Sequence, residues 1–248
     1  MSEHQLYKKY ARFYDKIYNK KKYKEEVEFI LSIIKKFNIK GKNILDMACG
    51  TGTHAKEFAK AGFKVTGVDL NKEMLEIAKT KAKNCLFLNG KMQSFESKKK
   101  FDVILCLFTS INYNKNISDL EETLKRFYKL SNKNGIIIFD LGIIKGEEEN
   151  KSGVFINTYV ENNLELARIN QWKPSKEKEN IFNANSLIFI KENGKLDFGV
   201  DEHELGIFSV EEIKNLMEQI GFNVRIYNDF TLEEYNKKSK RPVFVGQK

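Results

Sequence analysis

Residues 43–70 read NILDMACGTGTHAKEFAKAGFKVTGVDL. A short apolar run, Ile44 to Met47, carries Asp46 and leads into a loop, Gly50-Thr51-Gly52. Seventeen residues after Gly52 a second apolar run, Val65 to Val68, ends at another acid, Asp69. The residues between form a helix that opens at Thr51 or Gly52 and runs to about Lys60. Gly62 closes it, because glycine accepts the left-handed conformation that ends helices. Strand, glycine turn, helix, strand and acid is the order in which a nucleotide site is built.

The same alternation extends in both directions. Upstream, Val27, Ile30, Leu31 and Ile34 recur at helical spacing over residues 23–37. Downstream, Asn71 is placed to cap a helix over residues 72–83. Cys85 to Leu88 and Phe101 to Phe108 read as strands, Ile117 to Leu130 as a helix, and Ile136 to Asp140 as a fifth strand. Strands alternating with helices predict a parallel sheet covered on both faces. From about Lys145 to Gly206 the pattern becomes short alternating runs, with Glu192-Asn193-Gly194-Lys195 as a hairpin signal. That is an antiparallel meander inserted into the α/β chain. A helix follows, with Ser209 and Glu212 as a capping box. Two final strands close the chain, and Pro242 suits the first residue of the second. The expected fold is α/β: a Rossmann-like, seven-stranded, mostly parallel sheet with helices on both faces and an inserted meander. Residues 1–144 and 207–248 form the main unit, and residues 145–206 form a cover.

The loop Gly50-x-Gly52-x-x-Ala55 also fits a dinucleotide fingerprint. Asp46 argues against that ligand. A pyrophosphate sits on amides at a helix N-terminus, and a carboxylate just before the loop repels it. S-adenosylmethionine (SAM) has no phosphate; it carries a sulfonium and an ammonium, which a carboxylate favours. Asp69 can accept from both ribose hydroxyls, and the glycines let the backbone pass close to the adenosine.

Across 248 residues, 41% are hydrophobic and 31% charged, which are globular values. The polar start MSEHQLYKKY does not read as a leader, and the longest apolar run, Val103 to Phe108, is too short to cross a bilayer. No membrane association is expected, and the location expected is cytoplasmic. Cys49, Cys85 and Cys106 make neither a disulfide framework nor a CxxC pair, and His4, His54 and His203 are scattered, so no metal site is expected. The formal charge of +9 is uneven: residues 1–43 hold 12 Lys/Arg against 5 Asp/Glu. Such an end is a solvated lysine-rich face, or it serves nucleic acid or an anionic small molecule.

The stretch LDMACGTGTHAKEFAKAGFKVTGVDLNKEMLEIAK resembles motif I and the following acidic strand of class I SAM-dependent methyltransferases. KFDVILCLFTSINY resembles that family's fourth strand and following loop, and NGIIIFD its fifth strand. YARFYDKIY, the meander and the closing RPVFVG resemble its small-molecule branch, which includes amino-sugar N,N-dimethyltransferases and relatives of glycine and sarcosine N-methyltransferases. The resemblance implies SAM as cofactor and S-adenosylhomocysteine as product. It implies that Asp46 lies near the methionine ammonium. Ala48, Cys49, Gly50, Thr51 and Gly52 would line the methionyl and ribose portions, and Asp69 would hold the ribose. Leu70 and Met74 would flank the adenine or serve as ordinary core, and Leu107 would border the site. Where the family often has Gly-Asp, this chain has Gly90-Lys91. A lysine ammonium only donates, so the adenine amino group falls to the backbone near Met92, to Gln93 or to water. Cys49 reads as a small loop filler, since no histidine pairs with it.

Methyl transfer from a sulfonium needs alignment, exclusion of water and, for an amine acceptor, removal of a proton. Tyr14 and Tyr113 are the candidates for cradling the sulfonium or relaying that proton. Tyr10, Tyr14 and Tyr18, at i, i+4 and i+8, would share one face of a helical lid. The fourth strand lacks an Asn/Asp-Pro-Pro-Tyr motif, which lowers nucleic-acid bases and glutamine as substrates. Trp172, Arg168, Tyr159 and His203 could line the cover; His203 reads most simply as an acid-paired surface histidine. Three readings stand: a small-molecule methyltransferase acting on nitrogen, an RNA or protein methyltransferase using the basic N-terminus, and a SAM-binding module without catalysis.

Overall fold

The structure is a computed structural model and describes residues 4–236 and 240–248. Its frame is a seven-stranded sheet. β1 (Asn43–Met47), β2 (Lys64–Asp69), β3 (Leu86–Asn89), β4 (Phe101–Cys106) and β5 (Ser131–Asp140) run parallel. The chain then builds a second, antiparallel sheet from β6 (Gly153–Glu161), β7 (Leu164–Pro174), β8 (Ile181–Glu192) and β9 (Lys195–Gly206). It returns to the first sheet through β10 (Asn223–Asn228) and β11 (Pro242–Gln247). The strand order is β10-β11-β5-β4-β1-β2-β3, with β11 antiparallel to both neighbours.

The helices α1 (Tyr14–Ile17), α2 (Tyr23–Lys36), α3 (Thr53–Lys60), α4 (Lys72–Lys81), α5 (Ile117–Leu130) and α6 (Val210–Ile220) complete the framework. α2, α3 and α4 bury Ile30, Phe58 and Leu75 on one face of the large sheet, and α5 and α6 bury Leu124 and Met217 on the other. Central strands therefore read as unbroken apolar runs, because neither face meets water. Within β4, Val103 and Leu105 point one way and Ile104 and Cys106 the other.

Several local expectations are met. Ser209 accepts from the Glu212 amide and Glu212 returns the bond, a complete capping box. Asn193 and Gly194 both take positive φ, which the tight turn between β8 and β9 requires. Pro242 opens β11. Other boundaries shift. The helix after the glycine loop opens at Thr53 rather than Thr51 or Gly52. β4 stops at Cys106 because Phe108 and Thr109 both adopt positive φ. β5 begins at Ser131, earlier than Ile136, across a register shift opposite Phe101 and Val103. Asn71 occupies the N-cap of α4 but makes no side-chain cap bond; its side chain is turned to Asp69 instead. No helix among the described residues is long and apolar enough to cross a membrane.

Candidate functional site

β1 and β2 pair in register, so Asp46 lies opposite Gly67 and both strands end on the same edge. The chain turns there on three left-handed residues, Ala48, Gly50 and Gly52, with φ of 59°, 54° and 74°. Only glycine adopts this conformation at no cost, so Ala48 is held under strain. Asp69 fixes the turn from the neighbouring strand. Its Oδ2 accepts from the Gly50 amide at 2.9 Å and its Oδ1 from the Asn71 amide at 2.8 Å. Burial pushes the Asp69 carboxyl up, partly countered by the amides of Asn71 and Gly50. Asp46 is more extreme. It is 2% exposed, its Oδ2 has no partner among the described residues, and burial, aided by the nearby Asp69 charge, raises it to about 7.

Gly50 and Gly52 serve different ends. A Cβ on Gly50 would meet nothing within 4 Å and would project into open space, whereas a Cβ on Gly52 would come within 2.9 Å of Ala78 Cβ on α4. Gly50 thus keeps room beside the loop, and Gly52 lets α3 and α4 approach. Cys49 is half-buried, and its thiol is pushed well up by burial and then by Asp46 and Asp69, which keeps it protonated. Thr51 faces the N-terminal segment. Its hydroxyl donates to Asp15 at 2.7 Å, and the Lys81 ammonium reaches Asp15, Thr51 and Thr53. This polar clasp ties α1 down over the glycine loop.

Beside the loop lies a cavity of about 1210 Å³. Ala48, Gly50, Asp69, Leu70, Met74, Met92 and Gln93 line its floor. Leu70 is 54% exposed at the mouth, whereas Met74 is buried against Tyr14. Asp46, Cys49, Thr51 and Leu107 border a smaller space of about 40 Å³ behind the loop. Gly52 borders neither. Lys91 is exposed at the cavity edge. The Gln93 side-chain amide donates to Asn114 Oδ1 at 2.8 Å, which leaves its carbonyl oxygen as the group free to accept.

The roof comes from elements distant in sequence. Tyr7, Tyr14 and Tyr18 of the N-terminal segment, Tyr113 after β4, and Arg168, Trp172 and His203 of the second sheet all line the cavity. They are wired together. Tyr7 Oη lies 2.7 Å from Tyr113 Oη, Tyr113 Oη 2.9 Å from His203 Nδ1, and His203 Nε2 2.6 Å from Asp201 Oδ2. The Leu6 amide donates to the other Asp201 oxygen, and Arg168 donates to Tyr18 and Ser186. Although burial alone would raise it, Asp201 sits below the usual carboxylate range, because His203 pairs with it. An ionised Asp201 accepts a hydrogen bond from Nε2–H, which leaves Nδ1 to accept from Tyr113. Burial raises the phenols of Tyr14 and Tyr113 well above their ordinary range, so both stay protonated. The Trp172 indole N–H is buried without a partner among the described residues.

Four expectations are corrected here. Tyr10, Tyr14 and Tyr18 do not share a helical face. Residues 5–13 form two 3-10 turns, and Tyr10 packs instead against Gly199 of β9. Tyr7 takes the place beside Tyr14 and Tyr18. His203 is not a surface histidine but 4% exposed, because its strand faces inward. The histidines are not all scattered in space: His4 stacks on His203 at 4.4 Å, and with Asp201 they bring ligand-type atoms within 4.8 Å of one another. Both His203 nitrogens are already engaged by Tyr113 and Asp201. Tyr159, finally, lies under the Lys16 ammonium and outside the cavity lining. Nothing in the sequence marks Tyr7, Asp15, Lys81 or Asp201. The one available signal, alternation in Asp201-Glu202-His203, gives a shared face but not which side is buried.

The floor suits one class of cofactor. It presents one buried carboxylate, Asp69, and a glycine that keeps space open beside it, while a second carboxylate with an orphaned oxygen, Asp46, lies buried just behind the loop. A cationic group and hydroxyl donors satisfy these atoms; a pyrophosphate does not. SAM fits: Asp46 and the loop backbone would face its ammonium, and Asp69 its ribose. Residues 44–135 match the family described as a methyltransferase domain. A provisionally named methyltransferase of Geobacillus sp. (strain WCH70) is 30% identical over 249 residues, covering 98% of this chain and 99% of that protein. The dTDP-3-amino-3,6-dideoxy-alpha-D-glucopyranose N,N-dimethyltransferase of Streptomyces fradiae is 27% identical over 132 residues, 52% of each chain. The fold is shared with the SAM-bound structure of CalS10, an amino pentose methyltransferase from Micromonospora echinaspora, at 17% identity and a TM-score of 0.76, covering 100% of this chain and 98% of that one. Floor, fold and relatives agree, and the chain belongs to the SAM-dependent methyltransferases.

Proposed function

We propose that the chain methylates an amine nitrogen on a small polar molecule of the amino-sugar class, with residues 145–206 as the substrate cover. The carrying observation is the roof: Tyr7, Tyr113 and His203, hydrogen-bonded in a chain that ends at Asp201, line the same cavity as Ala48, Gly50 and Asp69. Bound SAM supplies an electrophilic methyl group. The residues of the chain hold the acceptor amine, exclude water and take up its proton. Tyr113 is suited to receive that proton while passing its own to His203 Nδ1, and Asp201 stabilises the imidazolium. Tyr14, kept as a neutral phenol, offers its ring face to the sulfonium. Trp172 supplies an unpaired N–H for a substrate oxygen. The relatives named for amino-sugar methylation support the acceptor class.

The basic N-terminus favours this reading over RNA. Lys9 and Arg12 pair with Asp197 and Glu192 of the second sheet at 2.7 Å, and Lys16 pairs with Glu161. These three charges are paired within the chain and pin the segment to the cover. The test is incubation with methyl-labelled SAM and either nucleoside-diphosphate amino sugars, a nuclease-treated metabolite extract, or RNA. Label in an N-methylated small molecule is the expected result. Label confined to the nuclease-sensitive fraction would move the acceptor to RNA.

A further inference from the structure

The parallel strands have two ends, and the cavity uses only one. β1, β2, β4 and β5 all run toward the cavity and all begin at the opposite edge of the sheet. Lysines gather at that far edge. Lys40 and Lys42 lead into β1, Lys64 opens β2, Lys98 and Lys99 precede β4, and Lys133 lies in the first residues of β5. All six are exposed. The strand starts are held side by side. The Lys64 amide donates to the Lys42 carbonyl at 2.8 Å, and Asn43 and Asn132 both donate to Asp102. Other lysines of this edge have local roles. Lys35, Lys36 and Lys60 sit in the last turns of α2 and α3, where a cation offsets the helix dipole. Lys100 and Lys248 donate to carbonyls at the end of α5. The six have no such role and make no ion pair among the described residues; Lys42 and Lys99 lie over the Phe63 and Phe101 rings.

We propose that this far edge docks the phosphate backbone of a nucleic-acid strand. Unpaired cations in a row are the electrostatic footprint such a strand requires. The six lysines cross three strand spacings, ~14 Å, and Lys248 on β11 extends the row to ~19 Å. A strand carries one phosphate per ~3.4 Å of axis, so the row matches about five phosphates. The neighbouring residues favour this partner over lipid. A face built for a membrane surface sets exposed Trp, Phe or Leu among its lysines, whereas Phe63 and Phe101 are buried here. The exposed turn residues beside the lysines include Asn38 and Asn134, whose amides donate to phosphate and sugar oxygens. Because the cavity lies at the other end of the strands, a docked strand leaves the methyl-transfer site open. The contact is therefore separate from the acceptor of the methyl group.

Fluorescence anisotropy with a labelled oligouridylate of ~12 nucleotides tests this on the full chain. The parent chain should bind it in the micromolar range at ~50 mM sodium chloride and weaken roughly 100-fold by ~200 mM, as about five phosphate contacts on a single strand require. Two triple variants remove the same charge from different places. Lys40→Gln, Lys42→Gln and Lys64→Gln together should weaken binding at least ~10-fold and reduce the salt slope by ~2. Lys173→Gln, Lys176→Gln and Lys195→Gln, exposed on the second sheet, should change it less than ~3-fold. SAM isotherms of both variants should match the parent chain, which also shows that they are folded. Equal losses in the two variants overturn the proposal, because net charge alone would then account for binding. No RNA binding by the parent chain at ~50 mM salt overturns it too, whether or not the chain co-sediments with anionic phosphatidylglycerol vesicles.

Discussion

The floor and the roof of the cavity solve different problems. The floor is local: Gly50, Asp69 and, behind the loop, Asp46 fall within 24 residues of sequence, on two adjacent parallel strands and the loop that follows the first. Its polar atoms are under-satisfied, with Asp46 Oδ2 left orphaned. The roof is assembled from Tyr7, Tyr113, Arg168, Asp201 and His203, and its polar atoms are mostly paired with one another. A floor short of a cation is poised to bind a cofactor. A roof already wired suits the proposed positioning of groups and relay of a proton.

The largest expected effect lies in the floor. Asp69→Ala removes the acceptor for the Gly50 amide as well as the proposed ribose contact, and SAM affinity should fall by roughly 1–3 kcal/mol, measurable by calorimetry. In the roof, Tyr113→Phe keeps the ring and breaks the wire at one atom. Turnover on the identified acceptor should drop about tenfold or more, in the range of lost acid–base assistance. If turnover is unchanged, alignment alone carries catalysis and the roof is only a cover.

The join between the halves should respond more mildly. Lys81→Met unclasps Asp15 and Thr51, and SAM should dissociate several-fold faster, for a cost of about 1 kcal/mol. An unchanged off-rate would mean the clasp plays no part in retention.

Asp46 predicts a pH signature specific to the floor. Its folded-state pKa, about 7, lies above the unfolded value. Its contribution to stability is therefore full below about pH 4 and lost as pH rises through about 7. Asp46→Asn should flatten that part of the apoprotein's stability profile. Cofactor binding should release protons near neutrality, because a nearby cation favours the carboxylate. Calorimetry in two buffers of different ionisation heat reads this directly, and equal heats would remove Asp46 from the ammonium site. The smallest effect is expected at Lys91, which is exposed. Lys91→Asp should leave SAM affinity unchanged or slightly tighter, and lost binding would make Lys91 a direct ligand.

The same contrast explains what the sequence discloses. The parallel sheet is legible because strands buried on both faces, such as Val103-Ile104-Leu105-Cys106, need unbroken apolar runs. The glycine loop is legible because its backbone demands particular residues at fixed spacing. The meander is legible from alternation and from Asn193-Gly194. Alternation fixes which residues share a face, but not which face is covered, so His203 reads as surface when it is core. Tyr10 misleads for a related reason. The i, i+4, i+8 spacing is meaningful only in a continuous helix, and this segment breaks into short turns to follow the cover. The clasp of Asp15, Thr51 and Lys81 joins three distant elements, and no local pattern encodes it.

The division of labour itself is tested most directly by SAM isotherms for Asp69→Ala and His203→Gln side by side, with no acceptor present. Asp69→Ala should lose affinity while His203→Gln binds SAM like the parent chain, since His203 touches Tyr113 and Asp201 and not the floor. Equal losses in both variants would contradict the account, because roof and floor would then form a single cofactor site.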